Sequence, residues 1–156
     1  MPRNQWSQGK YRPHFPQKYI GVKAPVYRSS WEQRLFTYCD MNKNVLKWGA
    51  ELIEIPYFFH IDQKKHRYVT DVYMEVKQSS GKVIKYVVEV KPNQQNPLHE
   101  KFKQPKPPKR KTAKSWGNYQ ERLIDNERNL AKWRAASAFC KKRGYVFKIV
   151  GEDDLL

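Results

Sequence analysis

No apolar run in the sequence approaches the roughly 18 residues that a transmembrane helix needs. The N-terminus also lacks an apolar stretch, so we expect no secretory signal peptide. Cysteine is scarce: Cys39 and Cys140 lack the CxxC spacing of many zinc and redox sites. Two thiols can form one disulfide, but we expect both residues to be reduced and buried, in a cytosolic setting.

Acidic residues are also scarce, since 15 Asp and Glu face 31 Lys and Arg for a net charge of +16. A protein with so large an excess repels itself unless a polyanion neutralises it. Nucleic acid is the usual such partner, because its phosphates release counterions when protein cations bind them. The alternatives are an anionic membrane surface or a charge that serves only solubility. We favour nucleic acid as the partner, and we expect no membrane.

The chain of 156 residues suits one domain, or one domain with tails. Aromatic residues make up 14% of it, which argues against disorder throughout. Residues 1–28 hold six basic residues, four prolines and no acid, and we predict an extended basic arm there. Its aromatic residues are expected to pack on the domain, or to stack on bases or on a protein partner. The domain itself is predicted over residues 29–156.

The pattern of this domain predicts the order αβββαβ. A helix is expected to begin at Ser29 or Ser30, either of which can cap it, and to stop near residues 42–44. The crossover through a second helix should set the last strand parallel to a neighbour. The result is an α/β fold with a small mixed sheet flanked by helices. Strands are predicted over residues 51–59, 66–77, 82–90 and 145–150, and helices over residues 118–143 and from residue 152 onward.

Residues 92–117 interrupt this pattern with five prolines, and residues 100–114 hold seven Lys and Arg against the single acid Glu100. Such a segment cannot form a packed core, so we predict an exposed, mobile basic loop. We favour contacts with the DNA backbone over a merely solvated linker, and such contacts carry little sequence information. The predicted DNA-binding residues are Arg28, Lys101, Lys103, Lys106, Lys109, Arg110, Lys111 and Lys114.

Two predicted strands carry charged residues in positions suited to chemistry. Glu89 and Lys91 are two residues apart and share one face of a strand, while Val88 and Val90 face the other way. Asp71 lies on the preceding strand, where a simple hairpin register brings it close to Glu89. Two neighbouring carboxylates repel each other unless a cation joins them or one is protonated. We therefore predict a Mg²⁺ site, since Mg²⁺ takes carboxylate ligands and retains waters.

The remaining site residues follow from this prediction. Lys91 is expected to orient the attacking water, to lower its pKa or to stabilise transition-state charge. Glu32 is expected to add a carboxylate from the first helix, directly or through water, although it also fits a capping box with Ser29. Glu54 is a weaker candidate, because a solvated strand residue is the commoner case. The ExK pair alone is a weak signal, since Glu and Lys alternate on many exposed strands.

Asp71 followed by Glu89, Val90 and Lys91 resembles the D…ExK core of PD-(D/E)XK nucleases, which share the αβββαβ order. Thr70 stands where those enzymes often have Pro, a departure that leaves the metal ligands untouched. The sequence also resembles the head completion nucleases of T4-like tailed phages, which are similar to the endonuclease subunits of some cut-and-paste transposition systems. The resembling stretches are residues 27–32, 48–49, 55–58, 67–71, 89–92 and 132–136.

The resemblance implies a metal-dependent DNA endonuclease with Glu32, Asp71, Glu89 and Lys91 as catalytic residues. The three acids would hold Mg²⁺, for which Mn²⁺ can substitute. It further implies action on double-stranded DNA, at ends or branched forms, during phage head completion and tail joining. The partners would be phage head, portal or tail proteins, in the virion head and the host cytoplasm. Two alternatives stay open: a structural DNA-binding virion or neck protein, and a junction-resolving or restriction-type nuclease.

Overall fold

The fold combines strands and helices over residues 8–155, the part of the chain that the computed structural model describes. Residues 1–7 of the predicted arm lie outside that part. No helix within residues 8–155 is both long and apolar enough to cross a bilayer. The elements are β1 (Gly9–Lys10), β2 (Val26–Tyr27), α1 (Ser30–Met41), β3 (Val45–Ala50), β4 (Glu54–Phe59), β5 (Lys64–Val69), β6 (Val72–Lys77), β7 (Val83–Val90), α2 (Ala113–Arg143), β8 (Val146–Val150) and α3 (Glu152–Leu155), with short 3-10 helices at Pro16–Lys18 and Asn93–Gln95.

A four-stranded sheet in the order β3-β6-β7-β8 forms the centre of the domain. The first three strands pair antiparallel, and β8 pairs parallel with β7 after the crossover through α2. The elements α1, β3, β6, β7, α2 and β8 therefore follow the predicted order αβββαβ. The predicted α/β class with a small mixed sheet is confirmed.

The prediction missed one strand and merged two others into one. The first strand of the central sheet is β3, which lies before the predicted strand at residues 51–59. The predicted strand at residues 66–77 is divided at Thr70 and Asp71, where β5 ends and β6 begins. β4 and β5 form a separate two-stranded hairpin, inserted between the first and second strands of the central sheet.

An irregularity in β3 hides this strand from a search for alternating hydrophobicity. Val45 and Trp48 are buried, but Leu46 and Lys47 between them are both exposed. The pairing with β6 changes register between Val45 and Lys47. A bulge of this kind inserts an extra residue and breaks the period of two that an amphipathic strand shows.

The inserted hairpin packs against α2. Ile55, Tyr57 and Phe59 alternate with exposed residues along β4, and they form one apolar cluster with Trp133 and Ala136 of the helix. Fully burying each large apolar side chain contributes about 1.5–3 kcal/mol. The hairpin is therefore held as part of the domain, and its last strand, β5, leads directly into β6 of the central sheet.

α2 is longer than predicted, because it begins at Ala113 inside the Pro- and Lys-rich segment. Thr112 caps it through a reciprocal capping box with Ser115, which lies within the stretch that we expected to be loop. Gly144 ends the helix as predicted, with a φ of 71° that suits glycine. The predicted burial of the cysteines is also confirmed, since Cys39 and Cys140 are both free and buried.

Residues 8–28 are attached to α1 through the buried carboxylate of Asp40. This carboxylate accepts hydrogen bonds from the backbone N–H groups of His14 and Phe15, at 2.7 and 3.0 Å, and from the Tyr11 hydroxyl at 2.7 Å. The Lys18 Nζ donates to the carbonyl of Asp40 at 2.7 Å. Burial alone would raise the pKa of Asp40, but the hydrogen bonds more than offset it and hold this pKa below its ordinary value.

Aromatic side chains of the same segment complete this attachment. Tyr11 and Tyr19 both meet the buried Trp48 of β3 edge to face, with ring centroids 6.0 and 4.7 Å away. The aromatic residues of the arm were expected to pack on the domain or to stack on bases or a protein partner. Tyr11 and Tyr19 pack on the domain.

We expect Asp40→Ala to lower the free energy of unfolding by about 3 kcal/mol, because it leaves two backbone N–H groups and a hydroxyl without an acceptor. Urea unfolding at pH 7 measures this loss. The difference from wild type should shrink as the pH falls through the lowered folded-state pKa of Asp40, since acid protonates the carboxylate.

Asp125→Ala is the matched control, because Asp125 is an exposed helical carboxylate paired with Arg128. Its expected cost is about 0–1 kcal/mol. Equal stabilities of the two variants would show that Asp40 does not hold the N-terminal segment.

Candidate active site

Asp71 and Glu89 face each other at the ends of β6 and β7. The antiparallel ladder pairs Val72 with Val88. Asp71, which precedes Val72, therefore lies directly opposite Glu89, which follows Val88. The two carboxyl groups are close enough to share a hydrogen bond when one is protonated. The backbone N–H of Val90 donates to the Oδ2 of Asp71 at 2.8 Å. The predicted hairpin register is confirmed.

The electrostatics of this carboxylate pair favour one bound proton or a cation. Burial raises the pKa of Asp71 well above its ordinary value, and the charge and hydrogen bond of Glu89 raise it further. The Val90 N–H and the positive charge of Lys91 act in the opposite direction without offsetting the shift. Two neighbouring, partly buried like charges can stay ionised together only when a cation lies beside them.

Tyr68, at the end of the inserted hairpin, holds Glu89 in place. Its hydroxyl donates to the Oε1 of Glu89 at 2.8 Å, and the residue is only 3% exposed. Burial, followed by the charge of Glu89, raises the pKa of Tyr68, so the hydroxyl keeps its proton and stays a donor. Sequence reasoning missed Tyr68 because the signal is the tertiary packing of a hairpin that was not recognised.

Glu32 lies in the first turn of α1 and faces the same acids. Its backbone N–H donates to the Oγ of Ser29 at 3.1 Å, which caps the helix as predicted. Burial raises the pKa of the Glu32 carboxyl to about 7, and the charge of Asp71 adds to the shift. A backbone hydrogen bond and the charge of Arg28 oppose it. The helix start therefore brings a carboxyl group next to the Asp71–Glu89 pair.

An ion pair between Arg28 and Glu51 borders this acidic side of the site. Its hydrogen bond raises the pKa of Arg28, and the charges of Glu32 and Asp71 add to the shift. Glu51 also donates its backbone N–H to the carbonyl of Asp71 at 3.1 Å. Its φ of 52° lies in the left-handed region, which costs a non-glycine residue about 1–3 kcal/mol. Sequence reasoning missed Glu51, which directly follows the unpredicted β3.

Two lysines lie on the other side of the carboxylate pair. The backbone N–H of Lys91 donates to the carbonyl of Val150 at 2.9 Å, which fixes the end of β7 against β8. Lys132 of α2 is half-buried, and its Nζ lies 5.5 Å from the ring centroid of Tyr68. Burial lowers the pKa of Lys132, whereas the charge of Glu89 raises it. Sequence reasoning did not identify Lys132 as a site residue.

Asp71 and Glu89 form a close pair, and Glu32 lies near them without completing a cluster of three metal ligands. Within residues 8–155, no group of three or more His, Cys, Asp or Glu side chains is gathered closely enough to enclose a metal ion. Glu32 acts on Asp71 through its charge, and the pair itself is Asp71 and Glu89. The weaker candidate Glu54 is exposed and pairs with Arg67 at 3.3 Å.

The predicted DNA-binding residues lie in three places. Lys103 and Lys106 line a groove beside the site, together with Lys91 and Lys132. Arg28 lies instead on the acidic side, paired with Glu51. The others are exposed, on the loop before α2 or in its first turn: Lys101, Lys109, Arg110, Lys111 and Lys114.

Comparison with known proteins agrees with this geometry. The family described as TnsA-like endonuclease N terminal matches residues 42–152, which include Asp71, Glu89 and Lys91. The chain belongs to this endonuclease family, and its predicted resemblance to PD-(D/E)XK nucleases is confirmed. It is therefore a nuclease, a hydrolase acting on DNA.

A more specific likeness covers nearly the whole chain. The protein is 34% identical over 148 residues to the head completion nuclease of Enterobacteria phage T4. The alignment spans 94% of this chain and 92% of the phage protein. The predicted resemblance to head completion nucleases is confirmed.

Replacing Asp71 by Asn should stabilise the protein at pH 8 in the presence of EDTA. The folded-state pKa of Asp71 is raised, so the ionised carboxylate costs free energy at this pH and a neutral amide does not. We expect a gain of about 1–2 kcal/mol, or roughly 3–6 °C in Tm, by thermal unfolding.

The control is Asp125→Asn, which changes an exposed carboxylate on α2 and should leave the Tm within about 1 °C. A lower Tm for Asp71→Asn than for wild type would show that repulsion between Asp71 and Glu89 is absent from the folded protein.

Proposed function

We propose that the protein is a Mg²⁺-dependent DNA endonuclease in which Asp71 and Glu89 bind the metal ion. The observation that carries this proposal is the carboxylate pair itself, held at the end of the sheet with Lys91 beside it. Glu32 completes the coordination shell of the metal ion, either as a direct ligand or through a water molecule. Lys91 positions the attacking water.

The residues fit a divalent cation. Carboxylate oxygens are hard ligands of the kind that Mg²⁺ and Mn²⁺ take, and Asp71 and Glu89 offer them from two neighbouring strands. The raised pKa values of Asp71 and Glu32 arise mainly from burial and from the neighbouring acids, and the charges of Lys91 and Arg28 do not offset them. A bound Mg²⁺ would supply further positive charge, acidify a water molecule and offset the charge of the phosphate oxygens.

The side chains around the pair keep the acids oriented. The Val90 N–H restrains Asp71, and the Tyr68 hydroxyl restrains Glu89. Lys91 directly follows the end of β7, two residues after Glu89, so the alternation of the strand places its side chain on the same face as that carboxylate. Preorganised polar groups stabilise the charge that develops in a transition state better than groups that must first reorient.

The biological substrate is proposed from the likeness to the phage T4 head completion nuclease and from the charge of +16. We propose that the protein acts on double-stranded DNA, at ends or branched forms, as the phage head is completed and the tail joins. It would work in the virion head and the host cytoplasm, with head, portal or tail proteins as partners. The basic loop and Arg28 would follow the DNA backbone, with low sequence specificity.

Two alternative functions would use some of the same features of the protein. A structural DNA-binding protein of the virion would use the same positive charge, but it has no use for paired carboxylates facing phosphate. A junction-resolving or restriction-type nuclease would use the same site on DNA of different geometry.

Cleavage of linear and supercoiled plasmid DNA in Mg²⁺ tests the proposed site. Asp71→Asn, Glu89→Gln and Lys91→Ala should each lower the cleavage rate by about 10²–10⁴-fold, because each removes a group that acts on the reacting phosphate. EDTA should abolish cleavage by wild type.

Glu54→Gln and Lys77→Ala serve as controls, since they remove an exposed strand acid and an exposed strand lysine. Both should cut at the wild-type rate. Cleavage by Asp71→Asn at the wild-type rate would contradict the assigned site. A wild type that binds DNA with strong salt dependence but cuts no DNA form would favour the structural role.

A further inference from the structure

A groove of about 920 Å³ opens beside the carboxylate pair, between residues 94–106 and α2. Its lining contains six Lys and Arg residues and one acid, Asp125. Asp125 is itself paired with Arg128 at 2.6 Å. A groove with so large an excess of positive charge suits a polyanion and not an apolar ligand.

One wall of the groove is a continuous face of α2. Arg122 and Asn129 are seven residues apart and Lys132 follows three residues later, so all three lie along one side of the helix. At 1.5 Å per residue, the distance from Arg122 to Lys132 along the helix axis is about 15 Å. That length corresponds to about four base-pair steps of B-form DNA.

Lys132 is the member of this wall nearest the candidate active site. It lies over the ring of Tyr68, whose hydroxyl binds Glu89, and it lines the groove together with Lys91. Within residues 8–155 it forms no ion pair with an acid. A half-buried ammonium group without an ionic partner is best stabilised by an anion that reaches it from the groove.

We propose that Arg122, Asn129 and Lys132 bind the phosphodiester backbone of the strand that is cut, and that Lys132 contacts the phosphate beside the carboxylate pair. This inference rests on the proposed function and assigns its substrate-binding wall. The opposite wall contributes Lys103 and Lys106. Lys91 and Lys132 then approach the reacting phosphate from two different parts of the fold, the end of β7 and α2.

Equilibrium binding of a fluorescent 24-base-pair duplex in EDTA, between 50 and 200 mM KCl, tests this wall without cleavage. A plot of the logarithm of the DNA association constant against the logarithm of the KCl concentration has a negative slope. Arg122→Ala/Lys132→Ala should make this slope shallower by about 1.8, since each lost phosphate contact removes about 0.9. Arg134→Ala/Lys142→Ala is the matched control, because it removes the same charge from exposed positions of α2 outside the groove. Its slope should stay at the wild-type value.

Equal losses of slope in the two double variants would overturn the inference, because total charge and not the groove would then decide binding. Thermal unfolding of both variants checks that each is folded. If Arg122→Ala/Lys132→Ala does not fold, Arg122→Ala alone should still reduce the slope by about 0.9. An unchanged slope for Arg122→Ala would then overturn the inference.

Cleavage in Mg²⁺ at saturating DNA tests the role of Lys132 at the reacting phosphate. Lys132→Ala should lower kcat by about 10²-fold, Lys132→Arg should recover much of the loss, and Arg134→Ala should match wild type. If wild type cuts and Lys132→Ala cuts equally fast, this inference fails while the nuclease stands. If wild type does not cut, the proposed function fails and the salt slopes still decide whether the groove binds DNA.

Discussion

The repulsion between Asp71 and Glu89 is the constraint on which the site depends. The antiparallel register of β6 and β7 places the two carboxyl groups opposite each other. Their surroundings compensate in part: the Val90 N–H binds Asp71, and the Tyr68 hydroxyl binds Glu89. The pair still keeps a strongly raised pKa at Asp71. A site that is costly when empty and stable when it holds a cation is suited to metal binding.

The fold brings distant segments of the chain to this pair. α1 carries Glu32 in its first turn, and in its last turn Asp40 binds the N-terminal segment through hydrogen bonds. The inserted hairpin carries Tyr68, and it is held by its apolar contacts with α2. α2 in turn carries Lys132 next to Tyr68. Packing far from the chemistry thus orients the acids, the cations and the groove together.

The pairing of Asp71 with Glu89 could be predicted because strand periodicity and a tight turn determine a hairpin register locally. The cap at Ser29 and the stop at Gly144 were likewise local signals. β3 could not be predicted, because its bulge removes the alternation on which recognition depends. Tyr68 and Lys132 could not be predicted for another reason. Their roles come from tertiary contacts between the hairpin and α2, which no local sequence pattern encodes. Mg²⁺ as the cation, the metal ligands and the DNA contacts of the basic loop stay predictions.

The most direct test of the central claim is calorimetric titration of the protein with Mn²⁺ at pH 7, in two buffers of different ionisation enthalpy. The buffer dependence of the heat gives the number of protons released on binding. The account predicts that wild type releases protons as it binds the cation, because a cation beside the carboxylates lowers the raised pKa values of Asp71 and Glu32. Asp71→Asn should bind Mn²⁺ far more weakly. Binding to Asp71→Asn with wild-type affinity and proton release would contradict the account.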